Sequence, residues 1–107
     1  MAGSPRSGAD NNDPVVQQIE ASLAEYRRAH PRARVDVRRE HVVSVRIRVI
    51  DPDFAGRGRV DREEEVWKLI ERLPEETMAD IPLVLLLTPE EAKTSLANLD
   101  FEHPVPA

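Results

Sequence analysis

The chain has 107 residues, the size of one domain, and a formal net charge of −5 at pH 7. No apolar run approaches the roughly 20 residues that a transmembrane helix needs, which argues against a membrane-spanning protein. Apolar residues recur periodically, which argues against a wholly disordered chain. Because Cys is absent, disulfides, thiolate metal sites and a cysteine nucleophile are excluded.

The charge is distributed unevenly along the chain. Residues 1–26 carry a net charge of −3, residues 27–62 carry +6, and residues 63–107 carry −8. Such asymmetry is compatible with a polyanion-binding face beside an acidic one. The alternative is that the acids lie on solvated helix faces and neutralise the basic strands in space.

The first half of the chain predicts a tail, a helix and a hairpin. Residues 1–13 are polar and predict a disordered tail with no signal peptide, so we expect a cytoplasmic protein. Asp13 and Pro14 are typical of a helix start, and the helix should end near Ala29. Its apolar stripe is Val15 or Val16, Ile19, Leu23 and Tyr26.

Two strands should follow, joined by a turn at residues 39–41. Val35 and Val37 mark the first strand. Alternation predicts that the second strand buries one face and presents Arg46 and Arg48 on the other, solvated face. Its buried residues would be Val43, Val45, Ile47 and Val49.

The second half predicts a loop, a broken helix, a strand and a final helix. The spacing of Asp61 and Glu64 predicts a capping box for a helix that buries Val66, Ile70 and Leu73, with a break at Pro74. The apolar residues 81–87 predict a strand. A second capping box at residues 88–91 begins a helix that should pack through Ala92, Leu96 and Leu99. Residues 102–107 should form a loose tail.

The predicted element order is therefore α-β-β-α-α-β-α within a domain of residues 14–101. This order indicates an α+β fold with a three-stranded sheet and helices packed on one face.

Catalytic chemistry has little support, and we expect a protein that is not an enzyme and carries no cofactor. His30, His41 and His103 lie in neither a metalloprotease spacing nor a nucleophile-elbow context. The three glutamates at residues 63–65 are explained by their favourable interaction with the positive end of a helix, and so they do not indicate acid–base catalysis. No small-molecule substrate is indicated.

A set of arginines is the better candidate for binding. Guanidinium groups pair well with phosphate, and a strand face with its adjoining loop could present several of them to nucleic acid. Phe54 is the one nearby aromatic residue, so base stacking has little support. The candidate nucleic-acid-binding residues are Arg46, Arg48, Arg57, Arg59 and Arg62.

Several segments resemble BolA-like proteins. Residues 54–62 (FAGRGRVDR), with Val66 four residues on, resemble that family's signature of a Phe-X-Gly loop leading to Arg-Val-X-Arg-His. Residues 81–91 are similar to its last strand and Thr-Pro-Glu-Glu ending, and residues 19–23 and 31–37 to its first helix and strand. The resemblance covers about residues 15–101. It implies the small BolA domain, similar to a class II KH domain, with a three-stranded mixed sheet.

The resemblance implies two activities. Some BolA-like proteins are DNA-binding transcriptional regulators, and many pair with monothiol glutaredoxins around a shared two-iron two-sulfur cluster. The family's signature His, which ligates that iron, is replaced here by Glu63, and the inter-strand loop offers only His41. A carboxylate suits a cluster iron less well than imidazole. We therefore expect no metal site, with His41 and Glu63 as the candidates if one exists.

Our leading hypothesis is a non-enzymatic, BolA-like regulatory domain that contacts nucleic acid through the arginine face. The alternative is an adaptor that docks on a monothiol glutaredoxin in iron–sulfur or redox homeostasis, with the usual cluster ligand missing. A third possibility is a divergent domain with an unrelated protein partner.

Overall fold

The computed structural model describes residues 13–103, except for the side chain of His41. The predicted tails therefore lie mostly outside the described residues. Asp13 caps the first helix, as predicted, and Glu102, which the sequence placed in the final tail, is the last residue of the last helix. The elements are α1 (Pro14–Ala29), β1 (Arg34–His41), β2 (Ser44–Ile50), a 3-10 turn (Pro52–Phe54), α2 (Arg59–Ile70), α3 (Glu75–Met78), β3 (Leu83–Leu87), α4 (Pro89–Thr94) and α5 (Leu96–Glu102).

Helix α1 begins and ends where the sequence predicts. The Asp13 side chain accepts hydrogen bonds from the backbone N–H groups of Val15 and Val16, which would otherwise lack partners, and Pro14 occupies the first turn. The buried stripe of α1 is the predicted one and consists of Val16, Ile19, Leu23 and Tyr26.

The sheet has three strands in the order β1-β2-β3, antiparallel between β1 and β2 and parallel between β2 and β3. The predicted turn at residues 39–41 is wrong, because β1 continues to His41 and the hairpin turn is formed by Val42 and Val43. Val43 is consequently exposed and does not join the core. A longer ladder leaves fewer backbone groups unpaired than the early turn would have done.

Both faces of the sheet are covered, each by different helices. Val45, Ile47 and Val49 pack in the core beneath α1 and α2. The alternating residues Arg46 and Arg48 point to the opposite face, where their guanidinium groups contact α5. The prediction that helices pack on one face therefore fails for α5, which encloses the arginine face.

Helix α2 starts earlier than its predicted capping box. Gly58 is the N-cap residue and Arg59 the first helical residue, so Asp61 lies inside the first turn and does not cap the helix. Asp61 still suits the positive end of the helix dipole. Gly56 has φ of 78°, a left-handed conformation that favours glycine, and it bends the chain just before α2.

The last helical segment is two helices with a break at Ser95. The Thr88–Glu91 capping box is confirmed in both directions, since each side chain accepts from the other residue's backbone N–H. Ser95 ends α4 and caps α5. The prediction that Leu96 and Leu99 pack inward is wrong, because both are exposed while Asn98 and Phe101 are buried.

The α+β class, the mixed three-stranded sheet and the order of elements are confirmed. Within residues 13–103, no helix is long and apolar enough to cross a membrane.

Candidate functional site

The five candidate arginines fall into two separate groups. Arg46 and Arg48 lie on the sheet face that α5 covers. Arg57, Arg59 and Arg62 lie at the start of α2, beside the outer edge of β3. The structure therefore does not bring the five together on one surface.

Arg48 is unavailable to any ligand, because its side chain is 0% exposed. Its guanidinium donates to Asp36 Oδ2 at 2.7 and 3.0 Å, and to Asn98 Oδ1 at 2.8 Å. It also pairs with Glu102 at 3.0 Å and stacks over the ring of Phe101. Arg48 thus joins β1, β2 and α5, and it cannot contact phosphate as predicted.

Arg46 is also engaged within the protein. Its guanidinium lies 2.7 Å from Glu40 Oε1 and 2.8 Å from Asp100 Oδ2. Two carboxylates therefore compensate one cation at this edge of the arginine face, leaving no net positive charge there to attract a polyanion.

The second group lines a groove of about 400 Å³ between the start of α2 and β3. Arg59 is 89% exposed and pairs with Glu63 one helical turn on, at 3.1 Å. The groove combines three arginines with two carboxylates and an apolar strand. Its lining is Arg57, Arg59, Arg62, Glu63, Val84, Leu85, Leu86 and Glu91.

Arg62 forms the floor of the groove and is only 12% exposed. Its guanidinium makes a bidentate pair with Glu91 at 2.7 and 3.0 Å and donates to the Leu86 carbonyl at 3.1 Å. The hydrogen bonds from Arg62, followed by that from the Thr88 backbone, lower the pKa of Glu91 from 4.5 to about 2. Arg62 therefore tethers α2 to β3 and α4.

The groove also exposes backbone. β3 is an edge strand, and its Leu87 carbonyl accepts from Asp51 N–H on the β2 side. By alternation, the backbone groups of Val84 and Leu86 face outward, and Arg62 already uses the Leu86 carbonyl. Such an edge can hydrogen-bond to an extended segment of another protein.

Phe54 does not supply an aromatic surface to this groove. Its side chain is 0% exposed and lies near the Tyr26 ring, with the guanidinium groups of Arg57 and Arg62 above it. Base stacking on Phe54 is therefore blocked.

The two candidate metal ligands belong to different parts of the fold. Glu63 lies in the first turns of α2, and its carboxylate is paired with Arg59. His41 ends β1 beside the hairpin turn, and its side chain lies outside the described part of the structure. Among the described side chains, the one group that could hold a metal ion excludes Glu63.

That group is centred on His30, which the sequence reading left unassigned. The His30 Nδ1 lies 2.9 Å from Asp53 Oδ2 and 3.5 Å from Asp51 Oδ2, and its Nε2 lies 2.7 Å from Glu65 Oε2. The ring stacks on Tyr26, with centroids 4.2 Å apart. The cluster therefore joins the end of α1, the loop after β2 and the middle of α2.

The cluster has unusual electrostatics. Burial alone would lower the pKa of His30, but hydrogen bonds to Asp53 and Glu65 outweigh it and raise that pKa. Hydrogen bonds from His30 and then Arg32 lower the pKa of Asp53. Burial, followed by the bond to Asp51, raises the pKa of Tyr26, so its hydroxyl stays protonated and donates.

The sequence contains both halves of this cluster but no signal that joins them. His30 stands at the end of α1, just before a proline, and the Asp51-Pro52-Asp53 segment ends β2. Each pattern is an ordinary helix or strand ending, and only the return of β2 beside α1 makes the two adjacent.

Comparison with known proteins gives one similar solved structure, a bol-like protein from Babesia bovis. The match has a TM-score of 0.46 and 21% sequence identity, and it covers 86% of this chain and 95% of that chain. No family model and no curated protein matches the sequence. The order of helices and strands in this chain is the order predicted from its sequence.

Proposed function

We propose that the protein is a non-enzymatic, BolA-like adaptor that docks on a monothiol glutaredoxin through the groove between α2 and β3. The observation that carries the proposal is that all five candidate arginines have partners within the chain and only Arg59 among them is largely exposed, while the groove presents mixed charge beside an open strand edge. The cytoplasmic location expected from the sequence is part of this proposal.

The chemistry of the groove favours a protein partner over nucleic acid. A phosphate backbone requires uncompensated cations, whereas Arg59 and Arg62 of the groove are already paired with Glu63 and Glu91. A protein surface, in contrast, can match Arg59 and Glu63 with its own opposite charges and add hydrogen bonds at the β3 edge.

The docking we propose does not use the family's shared cluster. Glu63 stands in the position of the signature His, and its pairing with Arg59 makes it a helix-surface residue. We therefore expect the visible absorption of a cluster-loaded glutaredoxin to be unchanged when this protein is added, although the two proteins bind.

The experiment is a calorimetric titration of the full chain with apo monothiol glutaredoxin. We expect a one-to-one complex that Arg59→Glu weakens by about tenfold or more, because the substitution reverses the most exposed charge at the groove. The matched control is Arg28→Glu, an equal charge reversal on exposed α1, and it should leave the affinity unchanged.

Two results would overturn the proposal. One is the absence of a complex by both calorimetry and gel filtration. The other is duplex DNA binding that falls with salt and is lost in Arg59→Glu, since that outcome assigns the groove to nucleic acid.

A further inference from the structure

The His30 cluster brings three potential ligand atoms to one point. One ligand atom from each of His30, Asp51 and Asp53 lies within 4.8 Å of the other two. With metal–ligand bonds of about 2.0–2.2 Å, two ligand atoms on one tetrahedral ion lie about 3.3 Å apart. The Nδ1–Oδ2 separations of 2.9 Å to Asp53 and 3.5 Å to Asp51 lie on either side of that value.

Each of the three groups is oriented by a further partner. Glu65 accepts a hydrogen bond from the other His30 nitrogen, at 2.7 Å. The Tyr26 hydroxyl donates to Asp51 Oδ2 at 2.6 Å, and Arg32 donates to Asp53 Oδ1 at 2.5 Å. A carboxylate on the distal nitrogen of a ligating histidine is the common support of a bound metal, since it fixes the ring's tautomer and orientation.

The exposure of the cluster suits an ion that enters from solvent. The Asp51 side chain is fully buried, His30 is 15% exposed and Asp53 is 35% exposed. The three groups therefore form a cup with its open side at Asp53. Three protein ligands leave a fourth position for water or for an external ligand.

The charges of the cluster favour a cation at its centre. Asp51, Asp53 and Glu65 bring three negative charges, while the nearest fixed cations are Arg32 on Asp53 and Arg57, which lies 3.9 Å from Glu65. We propose that His30, Asp51 and Asp53 bind a divalent transition-metal ion such as Zn²⁺, which takes the position between Nδ1 and the two carboxylates. One imidazole and two carboxylates are suitable donors for this class of ion. The proposed site is separate from the groove and does not depend on the proposed docking function.

The test is a calorimetric titration of the chelator-treated protein, as the full chain, with zinc chloride at about pH 7.5; zinc must displace any proton from the ligating imidazole nitrogen, so binding should weaken as the pH is lowered. We expect one ion per chain and an affinity that falls at least tenfold in both Asp53→Asn and His30→Gln. The matched controls are His103→Gln and His41→Gln, which remove the other two histidines and should leave zinc affinity unchanged.

A second measurement needs no variant and so does not depend on variant folding. Substoichiometric Co²⁺, a paramagnetic substitute for zinc, should broaden the backbone amide resonances of residues 30, 51 and 53 before those of residues 41 and 63. Circular dichroism of Asp53→Asn should match that of the parent, since Asp53 is partly exposed and asparagine retains its shape.

The proposal is overturned if no zinc binds at about 100 µM, a concentration at which a built site should be occupied. It is also overturned if zinc affinity survives in Asp53→Asn and His30→Gln, or if Co²⁺ broadens the resonances around residues 41 and 63 first. Each of these results places the metal elsewhere or excludes it.

Discussion

The Arg48 guanidinium holds α5 against the sheet, and this role can be tested by removing its charge. In Arg48→Met the Asp36 carboxylate and the Asn98 amide lose the buried guanidinium beneath α5, although Asp36 keeps its pair with Arg34 at 3.1 Å. Glu102 is 40% exposed and can regain water, so we expect the free energy of unfolding to fall by about 2–4 kcal/mol, near the lower limit for a broken buried pair. Urea denaturation measures this loss.

The control for Arg48→Met is Arg59→Met, the same substitution at an exposed arginine. Its effect should lie within about 0.5 kcal/mol of zero, as expected for a surface pair. If the two variants were equally stable, Arg48 would not have the structural role described above.

The Glu91 carboxylate predicts a specific dependence of stability on pH. Because its pKa is lowered from 4.5 to about 2 in the folded protein, its ion pair with Arg62 stabilises the fold above pH 4.5, and this stabilisation is lost as the pH falls toward 2. Glu91→Gln retains the capping-box geometry but removes the charge. The variant should be less stable than the parent at pH 6, and the difference should shrink toward pH 2.

Thermal melts of the two proteins between pH 2 and pH 6 measure this difference. Glu90→Gln is the matched control, because Glu90 is its exposed neighbour in the same helical turn. A stability difference between Glu91→Gln and the parent that stays constant over the whole pH range would contradict the assignment of the ion pair.

At the level of the elements, α5 is attached through Phe101 and not through its leucines. Phe101 is 1% exposed and lies against the guanidinium groups of Arg38 and Arg48, whereas Leu96 is 81% exposed. Phe101→Ala should destabilise the protein by about 2–4 kcal/mol, by loss of buried area and of stacking. Leu96→Ala should change stability by less than about 0.5 kcal/mol. If denaturant titrations showed a larger loss of stability for Leu96→Ala than for Phe101→Ala, α5 would be attached through its leucines, as the sequence predicted.

The elements differ in how far local sequence determines them. The starts of α1 and α4 could be predicted, because Asp13 and Thr88 cap them with their own side chains. The start of α2 could not, since Gly58 offers no side chain as a signal. The burial of Arg48 could not be predicted either. The alternation of β2 indicates which face of the sheet a residue occupies, but it does not indicate whether a distant helix covers that face.

At the scale of the whole molecule, the positive central segment and the negative final segment neutralise one another in space. The acids of α4 and α5 return to the arginines of β2 and α2, as in the pairs Arg46–Asp100, Arg48–Glu102 and Arg62–Glu91. These pairs agree with the alternative given in the sequence analysis, in which acids on helices neutralise the basic strands in space. This is why the candidate site could be predicted only in part: Arg59 and Glu63 lie on an accessible groove, but the His30 cluster depends on contacts between three distant segments.

The protein should therefore have little affinity for DNA. We expect fluorescence anisotropy with a labelled duplex to show at most weak binding at about 50 mM salt and none at about 200 mM, because few phosphates can be neutralised. Tight binding that persists at the higher salt concentration would contradict the charge distribution described here.

The central claim, that the groove between α2 and β3 receives a protein partner, is tested most directly by a ¹H–¹⁵N NMR titration of this chain with apo monothiol glutaredoxin. The account predicts that the largest shifts occur at the backbone amides of Arg59, Glu63, Val84 and Leu86, while those of α5 and of the hairpin turn change little. Shifts concentrated on α5 or the hairpin turn, or no shifts at all, would contradict it.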